Sequence, residues 1–265
     1  MLTTNPTATL VANDLTCENL QALARREIAA IHVRDFYPTE LCREISDKVI
    51  EHDRLEFYAK EKVKSVARLH TPHADTDGRP EVKEQYHRDA VQAIHDTRAI
   101  FHPYLAPTDK LKLLLQELWP TGANLQHLDG RKCFSGAVRV FWPKKAVFYP
   151  HYDRGDEETV APELSEMTEQ LGCNIYLRTP TTGGELQMWL REATSVEKDI
   201  IREVEGLDVD KIEPPRLVLK PEEGDLIMMS TRMLHAVCPS EDSHRVSQGT
   251  FIGVHGEDNP LTYWS

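Results

Sequence analysis

Residues 216–254 read RLVLKPEEGDLIMMSTRMLHAVCPSEDSHRVSQGTFIGV. Four runs of β-forming residues stand out in this stretch: Arg216 to Leu219, Asp225 to Met229, Ala236 to Cys238 and Val246 to Val254. Turn-forming residues part them, as in the run Pro221 to Asp225. Upstream, Ala137 to Trp142, Val147 to Tyr149, Asn174 to Arg178 and Glu185 to Trp189 have the same grain. Many short strands at such spacing predict a sandwich or barrel. One helical insert, Ser195 to Glu205, interrupts them. To about residue 120 the pattern is mostly helical. Leu20 to Ile31 has apolar residues at helical spacing and leads into a short strand, Ala29 to Val33. Thr39 is placed to cap a helix with Leu41, Ile45, Val49 and Ile50 on one face. Val82 to Phe101 and Pro107 to Trp119 read as two more helices, the second with Leu111, Leu114, Leu115 and Leu118 as its buried stripe. Residues 64–80, polar and punctuated by Pro72, Gly78 and Pro80, read as a loop. The expected architecture is α+β and one domain over residues 1–265, with a helical support over 1–120 and a double-layered β-roll over 121–265.

The composition narrows the function classes. A formal charge of −12 argues against nucleic acid, because phosphate binding runs on clustered Lys and Arg. No apolar run approaches the roughly 20 residues of a membrane span. Met1 to Asn13 is polar and lacks the basic and apolar regions of a secretory leader. The five cysteines, Cys17, Cys42, Cys133, Cys173 and Cys238, are scattered and form no C-x-x-C pair, so reduced core-filling thiols in a cytoplasm are expected.

The sharpest chemical signal is Pro150-His151-Tyr152-Asp153. On a strand, residues i and i+2 share a face, so His151 and Asp153 can offer an imidazole nitrogen and a carboxylate oxygen to one metal. With 12 histidines in the chain, such a triplet also arises without a metal. His235 follows the turn Gly224-Asp225 and an apolar strand and is the candidate third ligand. Two His and one carboxylate on one face of an octahedron leave three adjacent positions open, the arrangement of non-haem Fe(II) oxygenases. Ten residues on, Arg245 and Ser247 share a strand face. A guanidinium fork binds a carboxylate bidentately and a hydroxyl adds a third bond. His102, His127, His244 and His255 have no such partner pattern.

The constellation resembles the 2-oxoglutarate- and Fe(II)-dependent oxygenases. The likeness covers residues 134–255: the PHYD tetrapeptide, the Gly183-Gly184-Glu185-Leu186 turn, the Pro221 to Asp225 turn, His235 and the Arg245-x-Ser247 pair. PHYD and its upstream strand are similar to the prolyl-hydroxylase branch, and the R-x-S pair to small-molecule members. The overall shape resembles stand-alone hydroxylases of free amino acids, including those related to the free-lysine halogenases. The resemblance implies a double-stranded β-helix (jelly-roll) core. It implies Fe(II) on His151, Asp153 and His235, with 2-oxoglutarate chelating the metal and its distal carboxylate on Arg245 and Ser247. O2 then takes the last position, and decarboxylation to succinate and CO2 drives hydrogen abstraction from substrate. Asn174 and Tyr176 share a strand face from which to reach the cosubstrate. Related iron halogenases carry Gly or Ala where this chain has Asp153, which frees a site for chloride. A carboxylate there implies hydroxylation rather than chlorination, with desaturation and cyclisation, which share the hydrogen-abstraction step, as alternatives.

Substrate signals are sparser. Arg139 and Phe141 alternate on the strand leading to His151, and Arg139 is suited to a substrate carboxylate. The segment Arg154 to Gly172, polar through Arg154, Asp156, Glu157, Glu158 and Glu163, is a candidate lid, with Asp156 or Glu157 facing an amine. Its alternative is a solvated loop. Trp264 is a candidate flap over the pocket mouth or a buried anchor, and Met228 and Met229 read as core. Trp142 lies near where prolyl-hydroxylase relatives carry a cosubstrate-contacting Tyr. The expected activity is hydroxylation of an unactivated C–H bond in a small molecule, a free amino acid or natural-product intermediate. A prolyl-hydroxylase-like enzyme acting on protein and a non-catalytic metal-binding sensor are the alternatives.

Overall fold

The computed structural model describes residues 10–57, 65–76, 79–144, 148–158 and 161–265. Val147, Gly78 and the polar leader before residue 10 lie outside these, as does the side chain of Glu158. Between residues 137 and 254 the chain runs through eight strands: β1 (Ala137–Phe141), β2 (Phe148–His151), β3 (Glu169–Arg178), β4 (Leu186–Glu192), β5 (Leu217–Leu219), β6 (Leu226–Ser230), β7 (Met233–Val237) and β8 (Arg245–Val254). They divide between two sheets. The larger holds them in the order β6-β3-β8-β1 and the smaller in the order β5-β4-β7-β2, every pairing antiparallel.

Alternation sorts each large-sheet strand into two faces. Val138 and Val140 of β1, Leu171, Cys173, Ile175 and Leu177 of β3, and Val246 and Ile252 of β8 pack under the helices in one core cluster. Their neighbours Arg139, Phe141, Gly172, Asn174, Tyr176, Arg245, Ser247 and Gly249 point the other way. Tyr176 there packs with Leu186, Met188 and Leu190 of the small sheet and with Ile227 and Met229. The polar candidates are thus on the inner face because the apolar residues between them are claimed by the helices.

Those helices are α1 (Cys17–Ala24), α2 (Thr39–Ile50), α3 (Pro80–Phe101) and α4 (Pro107–Leu118). Leu20, Leu23, Ile45, Val49, Phe101, Leu111 and Leu115 supply their buried faces, each such side chain contributing on the order of 1.5–3 kcal/mol of transfer energy. Leu114 and Leu118 are only partly buried. α1 ends well before Ile31, because the chain turns left-handed at Arg26. The cap of α2 is Pro38, and Thr39 is its first helical residue.

The N-terminal part is more than a helical buttress. Ala30–Val33 extends the large sheet beyond β6, and Val66–Leu69 extends it beyond β1. The second of these falls within the expected loop, followed by a 3-10 turn at His73–Thr76. Its alternation is hidden because all four residues are buried, Arg68 included. Ala123–Leu125 and Leu261–Trp264 add a further parallel pair beside β8. All five cysteines are unpaired, as expected. Among the described residues no helix is long and apolar enough to cross a membrane.

The Gly183-Gly184 turn enters β4 pressed against Pro239. A Cβ on Gly183, where φ is +82°, would lie 1.9 Å from the Pro239 carbonyl oxygen. Gly183→Ala should therefore lower the urea midpoint by an amount worth about 2 kcal/mol or more. An unchanged midpoint would mean that this contact is not kept in solution.

Candidate metal centre and cosubstrate site

His151 ends β2 and stands opposite His235 of β7 in the ladder. The two rings lie 4.4 Å apart between centroids. Each imidazole is oriented by its own strand: Nδ1 of His151 bonds the Tyr149 carbonyl at 2.7 Å, and Nδ1 of His235 bonds the Met233 carbonyl at 2.9 Å. Donation from Nδ1–H leaves Nε2 as the free lone pair, as metal-binding histidines require. Asp153 lies beyond the end of β2 and is fixed differently from the strand alternation expected. Its N–H donates to the Thr231 carbonyl at 2.9 Å, and the Thr231 hydroxyl donates back to the Asp153 carbonyl at 3.1 Å. Its carboxylate thereby reaches 3.4 Å from His235 Nε2 and 4.0 Å from His151 Nε2. One donor atom from each of the three residues lies within 4.8 Å of the others, close enough for one ion to touch all three.

Electrostatics keep the set in its ligating form. Burial pushes His151 down to about 4, with His235 and, more weakly, Arg139 acting in the same direction. Burial alone would raise Asp153, but the hydrogen bond from His235 and the charges of His151, His235 and Arg139 hold it at about 2. A neutral imidazole and an ionised carboxylate are what a divalent cation needs.

The second half of the site is an unpaired cation. Arg245 opens β8, is 3% exposed, and its Nε and Nη1 find no hydrogen-bond partner among the described residues. The Ser247 hydroxyl, 1% exposed, is likewise unpartnered. Phe141, opposite Arg245 in register, and Tyr176, opposite Ser247, place their rings 4.6 Å and 5.1 Å from the guanidinium carbon. Burial pulls the Arg245 guanidinium below its ordinary value, opposed by Tyr176. A buried donor without an acceptor costs on the order of 1–3 kcal/mol, and more when charged. Orphaned guanidinium and hydroxyl donors side by side therefore fit a carboxylate.

The remaining candidates divide. Asn174 lies beside Arg139 across Gly249, two residues along from Tyr176. Trp142 packs 5.3 Å from Phe57 and 5.1 Å from His244, and Phe141 faces Arg245 in its stead. Arg154 and Asp156, proposed for substrate, bind each other through two hydrogen bonds of 3.2 and 2.6 Å. Asp156 also meets Arg232, and Glu157 meets Lys198 at 2.8 Å. These charges are engaged with one another and with Arg232 and Lys198. The expected lid is two short helices, Gly155–Glu158 and Pro162–Ser165, followed by the start of β3. Trp264 is the buried anchor and not the flap: it is 3% exposed and packs 5.7 Å from Phe251. Sequence reasoning missed Thr231, and no local pattern marks it, because its partner is far along the chain.

Comparison with known proteins agrees with the geometry. A sequence profile for the carrier-protein-independent halogenase WelO5 matches residues 10–265. Among solved structures, an N-substituted L-amino acid dioxygenase from Burkholderia ambifaria has a TM-score of 0.60 at 16% identity, over 95% of this chain and 92% of that one. Its complex with alpha-ketoglutarate has a TM-score of 0.57 at 18% identity, over 94% and 90%. No curated protein matches in sequence. The chain belongs to the WelO5 family, and with it to the 2-oxoglutarate- and Fe(II)-dependent oxygenases.

Because the Arg245 charge is buried with no carboxylate partner among the described residues, Arg245→Met should leave the ligand-free protein at least as stable as the parent. The parent with anaerobic Fe(II) should gain about 2.7 kcal/mol at a hundredfold excess of 2-oxoglutarate over its dissociation constant. The variant should lose that gain. Thermal unfolding with and without 2-oxoglutarate reads both effects, and an equal gain in the variant would clear Arg245 of the role.

Proposed function

We propose that this protein hydroxylates an unactivated C–H bond of a small molecule, a free amino acid or a natural-product intermediate. It would use Fe(II), 2-oxoglutarate and O2. The strand orders β6-β3-β8-β1 and β5-β4-β7-β2 support a double-stranded β-helix core. Bound to the site, Fe(II) supplies the oxidative decarboxylation of 2-oxoglutarate that powers C–H cleavage. His151, Asp153 and His235 would hold it on one side, and Arg245 with Ser247 would orient the cosubstrate's distal carboxylate. Phe141 and Tyr176 keep water from the guanidinium and so strengthen that grip.

The observation that carries the choice of reaction is Asp153. The family is described by a halogenase, yet the chain presents a carboxylate beside the two imidazoles. That carboxylate would hold the position at which chloride would otherwise bind, and this supports hydroxylation. The wall next to Asp153 supports a small substrate over a peptide, because its charges are engaged with one another, Arg154 with Asp156, Asp156 with Arg232 and Glu157 with Lys198. The unpaired cysteines support a reducing, cytoplasmic compartment. The small-molecule substrate is the one partner proposed.

Incubation with Fe(II), 2-oxoglutarate and air over a panel of amino acids should release succinate and give a hydroxylated product, with no halogenated product in chloride. Asp153→Gly should reduce hydroxylation by more than about a hundredfold, the loss that even outer partners of a metal can cause. Absence of succinate with every candidate, together with no iron bound anaerobically, would reject the oxygenase.

A further inference from the structure

Ser230-Thr231-Arg232 carry the chain from β6 in the large sheet to β7 in the small one. This crossing is docked on the first two residues of β3. The Ser230 hydroxyl donates to Glu169 Oε1 at 3.1 Å, and Arg232 Nε lies 3.6 Å from the same oxygen. Between them, the Thr231 N–H donates to the Gln170 carbonyl at 3.0 Å. Thr231 is 1% exposed and turns its methyl onto Gly172, where a Cβ would lie 2.5 Å away. Its hydroxyl faces two acceptors, the Asp153 carbonyl at 3.1 Å and the Gln170 carbonyl at 3.3 Å. The segment after Asp153 is pinned to the same place, because the Gly155 N–H donates to Gln170 Oε1 at 2.9 Å.

The two histidines stand opposite each other in the β2–β7 ladder, but β2 ends at His151 and gives Asp153 no ladder of its own. Its place is set from the crossing. The same crossing leads into β7, where the Met233 carbonyl holds His235 Nδ1. Thr231 thus stands between the mount of the carboxylate and the mount of an imidazole, whose ligand atoms lie 3.4 Å apart. A ligand set binds an ion tightly only when groups behind it hold that spacing before the ion arrives. A carboxylate on an untethered loop residue must give up rotational freedom on binding.

We propose that Thr231 is a positioning residue for metal binding: its hydroxyl fixes the Asp153 carbonyl, and with it the spacing of the Asp153 carboxylate from His235. Ion affinity then depends on Thr231 only through Asp153. This rests on the metal-centre reading above and deepens it by naming the residue that makes the third ligand available. Thr231→Val isolates the role. Valine keeps a methyl over Gly172 and the main-chain bonds, and removes the donor to the Asp153 carbonyl.

The test is anaerobic titration of the full chain with Fe(II), and with Co(II) for its visible absorption, which reports the ligand set. Thr231→Val should bind Fe(II) about ten- to a hundredfold more weakly than the parent, the range for groups that orient a ligand. Thr231→Ser, which keeps the hydroxyl, should restore most of the affinity. Thr231→Ala removes the same donor without added bulk and should behave as Thr231→Val, so the comparison stands if valine prevents folding. Asp153→Ala supplies the decisive background. There Thr231→Val should cost nothing further, because no carboxylate is left to position. The Co(II) spectrum of Thr231→Val should move towards that of Asp153→Ala, and that of Thr231→Ser should match the parent. Parental affinity in both Thr231→Val and Thr231→Ala would overturn the proposal. An equal further loss in the Asp153→Ala background would overturn it too, because Thr231 would then act on the fold as a whole. Either result leaves the metal centre standing, whereas failure of the parent to bind both ions would sink the two readings together.

Discussion

A guanidinium shut inside a β-roll with two donors unpaired is the constraint around which this structure is arranged. Burying a charge is tolerated only when something compensates it. At Arg245 the protein itself offers two aromatic rings and no carboxylate among the described residues. The site is thus incomplete without an anionic ligand. The ladder makes the location unambiguous: Arg245 lies across from Phe141, Ser247 across from Tyr176, and the helices hold the alternate residues of the same strands on the far side of the sheet. The rigid sheet keeps the unpaired donors from collapsing onto a substitute partner.

The metal half depends on a different device. The histidines are set by the ladder between β2 and β7 and by their own backbone carbonyls. Asp153 is set by Thr231 through main-chain atoms of residue 153 alone. Gly172 makes room for this, since a Cβ there would lie 2.5 Å from the Thr231 methyl. Because the clasp does not use the Asp153 side chain, the side chain at 153 can differ while the backbone stays in place. That is a physical route by which one scaffold serves both a family described by a halogenase and a chain with a carboxylate ligand.

Charges that looked available in the sequence turn out to build the wall of the site. Glu169, buried at the start of β3, is paired with Arg26 and faces Arg232, which also bonds the Met167 carbonyl and meets Asp156. This chain of ion pairs anchors the short helix after Asp153 to the large sheet.

Much of this was legible in the sequence, for a local reason. Strand alternation put Arg245 with Ser247 and Arg139 with Phe141 on shared faces, and turn residues marked where the strands stop. His151, Asp153 and His235 were identifiable because ligand chemistry restricts residue type and their spacing fits one site. The strand Val66–Leu69 was not legible, because its burial is two-sided and leaves no alternating pattern. The fate of Arg154 and Asp156 was not either. Arg232 lies 76 residues from Asp156, and whether a charge is spent on a partner or kept for a ligand depends on which distant side chain folds against it. The sequence by itself determined which residues can do the chemistry. Only the tertiary structure decided which of them remain uncommitted, because pairing in a folded chain is set by proximity in space and not along the chain.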